Sequence, residues 1–307
     1  MIRDVLDTDL MAVRQFLDAH RESSLFLLAS LAAHGPRGGT HPFSGTFRLA
    51  EEDGRVVAVF CVTREGNLLV QAGSRARLAE DILAASAAEL PGVCGVVGEW
   101  ATASAIWELL LADPEFQPAR GAHEVVRDAL YGRTLTDADA AASESARWSG
   151  QRPMPPADPV TRLLTVDDFT SWDVLNLAYL SELKLPNPMS AAQRKAEFES
   201  RAAAQRWWGL LEGGDLVAIA GLNAVYGSLA QVGGVFTRPE FRRRGLSVSL
   251  MRRLLVDCRR LHRFDRLTLF TGEDNVGARR VYESVGFEYL GAYGLLLGSR
   301  RAKPSRR

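Results

Sequence analysis

Three consecutive arginines stand just before a glycine and a small hydroxyl residue in Arg242-Arg243-Arg244-Gly245-Leu246-Ser247, a set fitted to hold an anion. They close the stretch QVGGVFTRPEFRRRGLS (231–247), which reads as a strand stopping at Pro239, a turn, and a helix opening at Gly245. A helix N-terminus presents backbone N–H groups that have no intrahelical acceptor, and the helix dipole adds partial positive charge there. A turn of this kind binds phosphate. Gly245 carries no Cβ to hold an anion away, Ser247 keeps the first helical turn open, and Arg242, Arg243 and Arg244 add full charges around it. A basic surface turn that only caps a helix would carry the same residues, so the loop taken alone leaves both readings open.

A second set lies downstream in RLTLFTGEDNVGARRVYESVGFEYLG (266–291), a strand followed by Asn275, Ala278, Tyr282, Gly286 and Phe287 on and after a helix. A phenol of reference pKa about 10 held against a thiolate whose acid has a pKa near 8.5 can return a proton to it, and such transfer is worth on the order of 10² to 10⁴ in rate. Tyr282 is the candidate acid, and a core aromatic is the alternative, since Val281, Tyr282 and Val285 share a helix that must pack. Asn275 could cap that helix, contact a cofactor, or do both.

Together the two segments resemble the GNAT superfamily of N-acetyltransferases. Arg242, Gly245 and Ser247 stand in the three defining positions of its loop (Gln/Arg)-x-x-Gly-x-(Gly/Ala), with Ser in place of the final Gly or Ala. Asn275, Ala278, Tyr282, Gly286 and Phe287 fill its second pattern without a gap. The resemblance implies an acyl-CoA-dependent N-acyltransferase that moves acetyl from acetyl-CoA to a primary amine by direct attack in a ternary complex. It further implies that the strand ending at Phe236 and Thr237 splays from the strand beginning at Arg266, with the pantetheine arm in the gap. Backbone groups around Val235, Phe236 and Thr237 would bind that arm, residues 242–247 (Leu246 among them) the pyrophosphate, and Asn275 the cofactor's edge, while Tyr282 would act as general acid.

One oxyanion donor is typically worth about 3 kcal/mol and positioning of two reactants roughly 7 to 11, so backbone and geometry can supply most of such a rate. No residue stands out as the base. Glu182 and Glu212 are candidates, and a solvated surface charge is the alternative for each. Two other functions fit the same residues: a non-catalytic CoA-binding or protein-binding module, and an acyltransferase for a thiol-bearing small metabolite.

The elements that must position these residues follow from the apolar pattern. Leu246, Leu250, Met251, Leu254, Leu255 and Cys258 repeat at helical spacing after the arginine turn. Earlier in the chain, 9–33 reads as a helix, 35–45 as a loop, and 46–50, 56–62 and 68–72 as an antiparallel meander with turns at Asp53-Gly54 and Glu65-Gly66. A helix near 77–90, a strand near 93–97, a helix at 102–111 and a strand near 124–130 complete this half. The order then begins again: strand 160–166, a helix through Leu175 and Leu180 broken at Pro186-Asn187-Pro188, a helix near 191–204, strands at 207–211, 216–222 and 229–236, and the two motifs with a last strand at 287–297.

The two halves align as an internal repeat. DGRVVAVFCV from Asp53 matches GGDLVAIAGL from Gly213, an alignment that places Gln71 on Gln231 and Gly73 on Gly233. GEWATASAIWELL from Gly98 matches GEDNVGARRVYES from Gly272, with Ala101 where Asn275 stands and Glu108 where Tyr282 stands. The first copy has no arginine turn. The expected fold class is therefore α/β with mixed, mostly antiparallel sheets flanked by helices, as two tandem GNAT-like domains: a degenerate one at 1–135, a linker at 136–159, a catalytic one at 160–298 and a basic tail at 299–307.

Composition sets the remaining bounds. With 307 residues the chain can bury two cores, and 37 basic against 37 acidic residues leave no overall field favouring nucleic acid or membrane. Cys61, Cys94 and Cys258 lie far apart in apolar surroundings, and His20, His34, His41, His123 and His262 form no triad or ligand set, so neither disulfides nor a metal is expected. Residues 1–10 lack the apolar run of a signal peptide, which points to the cytoplasm.

Overall fold

The computed structural model describes residues 1–118, 127–141, 159–184 and 189–300. In the first half of the sequence the strands are β1 (Ile2–Asp4), β2 (Gly45–Glu52), β3 (Arg55–Thr63), β4 (Asn67–Gln71), β5 (Gly95–Glu99), β6 (Phe116–Pro118) and β7 (Asp128–Thr134). The helices are α1 (Leu10–Ala19), α2 (Arg21–His34), α3 (Ala79–Ala85), α4 (Trp100–Leu111) and the short α5 (Asp137–Ala141). The second half supplies β8 (Val160–Leu163), α6 (Phe169–Glu182), α7 (Ala191–Ala203), β9 (Trp207–Glu212), β10 (Asp215–Tyr226), β11 (Leu229–Thr237), α8 (Leu246–Arg260), β12 (Arg266–Gly272), α9 (Val276–Ser284) and β13 (Glu288–Arg300).

The chain forms two compact units. One comprises the described residues of Met1–Leu130 with Phe270–Asp274 and the chain from Tyr289 on, and the other Tyr131–Leu269 with Asn275–Glu288. In the first, β1-β2-β3-β4 are antiparallel neighbours and β4 runs parallel to β5. The free edge of β5 is taken by β13, Tyr293 opposite Glu99 and Leu297 opposite Gly95. In the second, β8-β9-β10-β11 are antiparallel, β11 runs parallel to β12, and β7 lies on the far edge of β12. Each copy's closing strand thus completes the other copy's sheet, so the compact units do not follow the sequence boundaries expected at 135 and 160. An unpaired edge must find a partner, and a repeated fold offers two equivalent ones.

Helical segments differ from the sequence reading where a residue leaves the helical region. The single helix expected over 9–33 is two, because His20 takes φ −125°, ψ 33° between them. The helix expected over 77–90 keeps only Ala79–Ala85 as α-helix. Residues 137–141, expected to begin the linker, form α5, whose Asp137 pairs with Arg259 of α8 at 2.8 Å. The remainder of the expected linker (142–158), the Pro186-Asn187-Pro188 break, His123 and residues 301–307 of the basic tail lie outside the described residues.

A shared cap supports the repeat. In the first unit Arg3 donates to both carboxylate oxygens of Asp9 (2.5 and 2.9 Å), and Asp9 accepts the Leu6 N–H at 2.8 Å. In the second Arg162 donates to both oxygens of Asp168 (2.7 Å each), and Asp168 accepts the Thr165 N–H at 2.8 Å. Both aspartates stand six residues after their arginine and close a short 3₁₀ turn into the first long helix.

In the second unit, neighbouring tryptophans on β9 point to opposite faces of the sheet, as strand geometry requires. Trp207 packs with Trp172, Leu175, Phe198, Ile219 and Phe236 beneath α6 and α7. Trp208, fully buried, donates Nε1–H to Asp257 of α8 at 3.0 Å. The apolar stripe read along α8 is buried as expected, Leu250, Met251, Leu254 and Cys258 completely.

Candidate functional site

The arginine turn stands at the end of a strand that outruns its neighbour. The pairing of β11 with β12 goes from Leu229 opposite Arg266 to Gln231 opposite Thr268 and stops there. Strand β11 continues for six more residues, to Thr237, with β10 alone beside it. Within this extension Ile219 pairs Phe236 while Gly221 pairs Gly233, so β11 carries one residue more than β10. That is a bulge, and it re-aims the backbone groups around Val235. Gly234 takes φ +61° in it, with the Trp207 ring about 3.0 Å from where a Cβ would stand, so both conformation and space call for glycine.

At the end of the strand, Thr237 and the turn lock together. The Thr237 carbonyl accepts from Arg242 Nε at 2.9 Å, and its Oγ1 shares a 3.0 Å hydrogen bond with Ser247 Oγ on α8. Arg242 also reaches Glu182 Oε2 at 2.5 Å and lies over the Phe236 ring at 5.4 Å. Arg244 pairs with Glu212 and lies over Phe241. Two of the three arginines are therefore held by carboxylates. Arg243, exposed, has no hydrogen bond or ion pair among the described residues.

Gly245 is the N-cap of α8 at φ +77°, ψ 2°, and Arg243 is also left-handed at φ +60°. Among the described residues no side chain caps α8, so the N–H groups of Leu246 and Ser247 in its first turn have no acceptor there. The Leu246 side chain itself is buried, and only its backbone is available at this site. An anion fits this arrangement: left-handed glycine, uncapped helix start and an exposed arginine converge on one turn.

Asn275 caps α9, its Oδ1 accepting the Ala278 N–H at 3.1 Å. One turn on, Tyr282 is 7% exposed and packs with Tyr131 and Phe287, and its hydroxyl has no hydrogen bond among the described residues. Burial, reinforced by nearby Tyr179, raises the Tyr282 phenol well above the ordinary tyrosine range. Tyr179 of α6, which no sequence motif marks, also packs edge-on against Phe236 at 6.3 Å. Through it, Tyr282 of α9 and the end of β11 become neighbours.

Gln231 was visible from the repeat, yet no role could be read for it. It is 3% exposed at the last position where β11 pairs β12, and its Oε1 is buried with no hydrogen-bond partner among the described residues. The partners of Arg242 and Arg244 stand 60 and 32 residues away, with no signal in the sequence. Among the described residues no group of three or more His, Cys, Asp or Glu could hold a metal ion, and no helix is long and apolar enough to cross a membrane. Cys61 and Cys258 are buried and Cys94 half-buried, all three as free thiols.

Residues 172–287, from α6 through Phe287, match the family model described as Acetyltransferase (GNAT) family. No curated protein matches the chain. Among solved structures it is similar to a GCN5-related N-acetyltransferase from Sphaerobacter thermophilus (TM-score 0.56, 15% identity, covering 99% of this chain and 96% of that one). It is also similar to a GCN5-related N-acetyltransferase from Kribbella flavida (TM-score 0.54, 16% identity, 92% and 96% covered). A Drosophila protein gives TM-score 0.58 at 14% identity, with 96% and 98% covered. At such identities the likeness establishes fold, and it spans nearly the whole chain. Residues 172–287 are thus a GNAT acetyltransferase domain, within a chain that folds as tandem GNAT-like units.

Proposed function

We propose that the protein transfers the acetyl group of acetyl-CoA to a primary amine, by direct attack within a ternary complex in its second unit, and that it works in the cytoplasm. The observation that carries this reading is the strand extension of β11, bulged at Gly234–Val235 and running straight into the uncapped start of α8. Acetyl-CoA supplies an acyl group already activated as a thioester. The N–H groups at Gly245, Leu246 and Ser247 and the Arg243 guanidinium bind its pyrophosphate, with Arg242 and Arg244 oriented by Glu182 and Glu212. The unpaired edge of β11 at Val235, Phe236 and Thr237 holds the pantetheine amides and steadies the carbonyl oxygen as it gains charge. Asn275 fixes the start of α9, and Tyr282 returns a proton to the leaving thiolate.

Tyr282 carries its proton at neutral pH, as any phenol does, and burial, which raises its pKa and weakens it as an acid, means that it must be held close to the thiolate to donate. Three free cysteines, two of them buried, suit a reducing compartment. Release of free CoA thiol from acetyl-CoA on addition of a panel of primary amines tests the reading. Cofactor binding with no amine-dependent thiol release would instead mean a non-catalytic CoA-binding module.

A further inference from the structure

Resting on the reading above, we propose that Arg252 of α8 and Arg280 of α9 form a second anion site, for the phosphate on the ribose of CoA, through which the protein selects CoA over dephospho-CoA. Because β11 and β12 are parallel, the helices that follow them open at the same end of the sheet, and α8 and α9 pack together within the second unit. Position 252 follows Gly245 by two helical turns, so it stands on the solvent side of α8 that begins at the phosphate turn. Its Cα is about 10 Å further along the axis, and a long helical side chain leans back toward the N-terminus, which returns the guanidinium toward that turn.

The side to which this face looks is marked by Arg259, two turns further on, which pairs with Asp137 of α5 at 2.8 Å. Asp139 of α5 pairs in turn with Arg133, which lies against Gly286 just after α9, so α5 marks the α9 side of α8. On α9, Arg279 reaches the Tyr131 hydroxyl of β7 at 2.9 Å, on the side of β12 away from β11, and Arg280, one step round the helix, is turned out to solvent. Both Arg252 and Arg280 are exposed, and neither has a hydrogen bond or ion pair among the described residues. Their neighbours are held: Arg253 by Asp257 at 2.8 Å, Arg259 by Asp137, Arg279 by Tyr131.

The turn at Gly245–Ser247 and Arg243 answer the pyrophosphate, which leaves the ribose phosphate of the same nucleotide to be met. That group is a monoester with a charge of about −1.5 to −2 at pH 7, and two guanidiniums without carboxylate partners supply the charge-assisted hydrogen bonds it accepts. The start of α8 fixes the nucleotide, and the pair beyond it reads whether the second phosphate is there.

The test is calorimetry of CoA and dephospho-CoA, which differ by this phosphate alone. The native protein should bind CoA at least about tenfold more tightly, and the difference should shrink between about 50 and about 500 mM salt. Arg252→Ala and Arg280→Ala, at exposed positions that spare the fold, should each weaken CoA several-fold and leave dephospho-CoA unchanged, and the double variant should bind the two alike. Arg252→Lys should retain part of the preference, because an ammonium still binds phosphate as a point charge.

Equal native affinity for the two cofactors would overturn the proposal, and so would variants that weaken both cofactors to the same extent. A preference for CoA that these variants remove, without amine-dependent thiol release from acetyl-CoA, would leave this inference standing and remove the acetyltransferase reading. Thiol release with equal KM for acetyl-CoA and acetyl-dephospho-CoA would do the reverse. Failure of the native protein to bind either cofactor would remove both.

Discussion

Gln71 and Gln231 stand at the same point of the two repeats, and only one of them has its hydrogen bonds filled. Gln71 donates Nε2–H to Ser23 Oγ at 2.6 Å and to Ser24 Oγ at 3.2 Å, and its Oε1 accepts the Gly73 N–H at 2.8 Å. In the second unit the buried Gln231 Oε1 has no partner among the described residues. Beyond this point the copies diverge: β4 ends at Gln71, whereas β11 runs on to Thr237. In the first unit Glu99 closes over the following turn, accepting from Ser74 N–H at 3.1 Å and from the N–H groups of Ala101 and Thr102 at the start of α4. The counterpart of α8 is the short α3, whose N-cap Leu78 is right-handed and follows no arginine turn, while the start of α4, the counterpart of α9, is filled by the protein's own carboxylate.

Acetyl-CoA should therefore bind once per chain. Calorimetric titration of CoA should give a stoichiometry near one, unaffected by Glu99→Gln. A value near two would mean that the first unit binds despite its missing strand extension.

Gly245 should be indispensable for the cofactor. Gly245→Glu places bulk and negative charge against the phosphate turn and forces a side chain into the left-handed region, at a cost of roughly 1–2 kcal/mol. Gly245→Asn, whose side chain tolerates that conformation, should keep the melting temperature closer to that of the native protein. Both variants should bind CoA more weakly, the glutamate variant by a hundredfold or more. Native affinity in a folded Gly245→Glu variant would place the phosphates elsewhere.

Tyr282→Phe keeps the ring against Tyr131 and Phe287 and removes a hydroxyl that makes no hydrogen bond among the described residues. Stability and CoA affinity should change little at pH 7. In single-turnover assays kcat should fall on the order of tenfold to a thousandfold, as for a group acting chiefly in the transition state. A native rate where chemistry is limiting would return Tyr282 to a purely structural role. Its raised pKa also has a pH signature: the folded state holds the proton more tightly, so its contribution is whole below about pH 10, the unfolded value, and declines above it. Urea midpoints measured from pH 8 upward should fall less steeply for Tyr282→Phe.

The two aspartate caps should behave alike. The Arg3 guanidinium pulls the Asp9 carboxyl down to about 2, and Arg162 lowers Asp168 in the same way. A depressed carboxylate contributes stability above its unfolded pKa of about 3.9 and loses it as pH falls toward the folded value. Both pairs are partly exposed, so Asp9→Asn and Asp168→Asn should each cost only about 1 kcal/mol at pH 7. The gap to the native protein should close between pH 4 and pH 2. A gap that persists at pH 2 would mean that packing, not charge, is what these residues contribute.

Local features were legible in the order of residues. Apolar residues at helical spacing predicted α8, and turn pairs such as Asp53-Gly54 marked the meander of β2, β3 and β4, because periodicity and turn chemistry act within a few residues. Gly245, at the predicted helix start, takes the left-handed conformation that only a residue without Cβ adopts freely, and the motif at 275–287 delivered Asn275 to a helix cap. Features that depend on partners far along the chain emerge only in the folded molecule. Glu182 and Glu212, read as candidate bases or solvated charges, are the counterions of Arg242 and Arg244, and no spacing rule links residues 60 and 32 positions apart. The exchange of β7 and β13 was equally invisible, since either copy's closing strand satisfies the same edge and its residues carry no mark of which. The bulge in β11 was hidden for a related reason: it exists only as a mismatch of register with β10, and register is a property of two strands together.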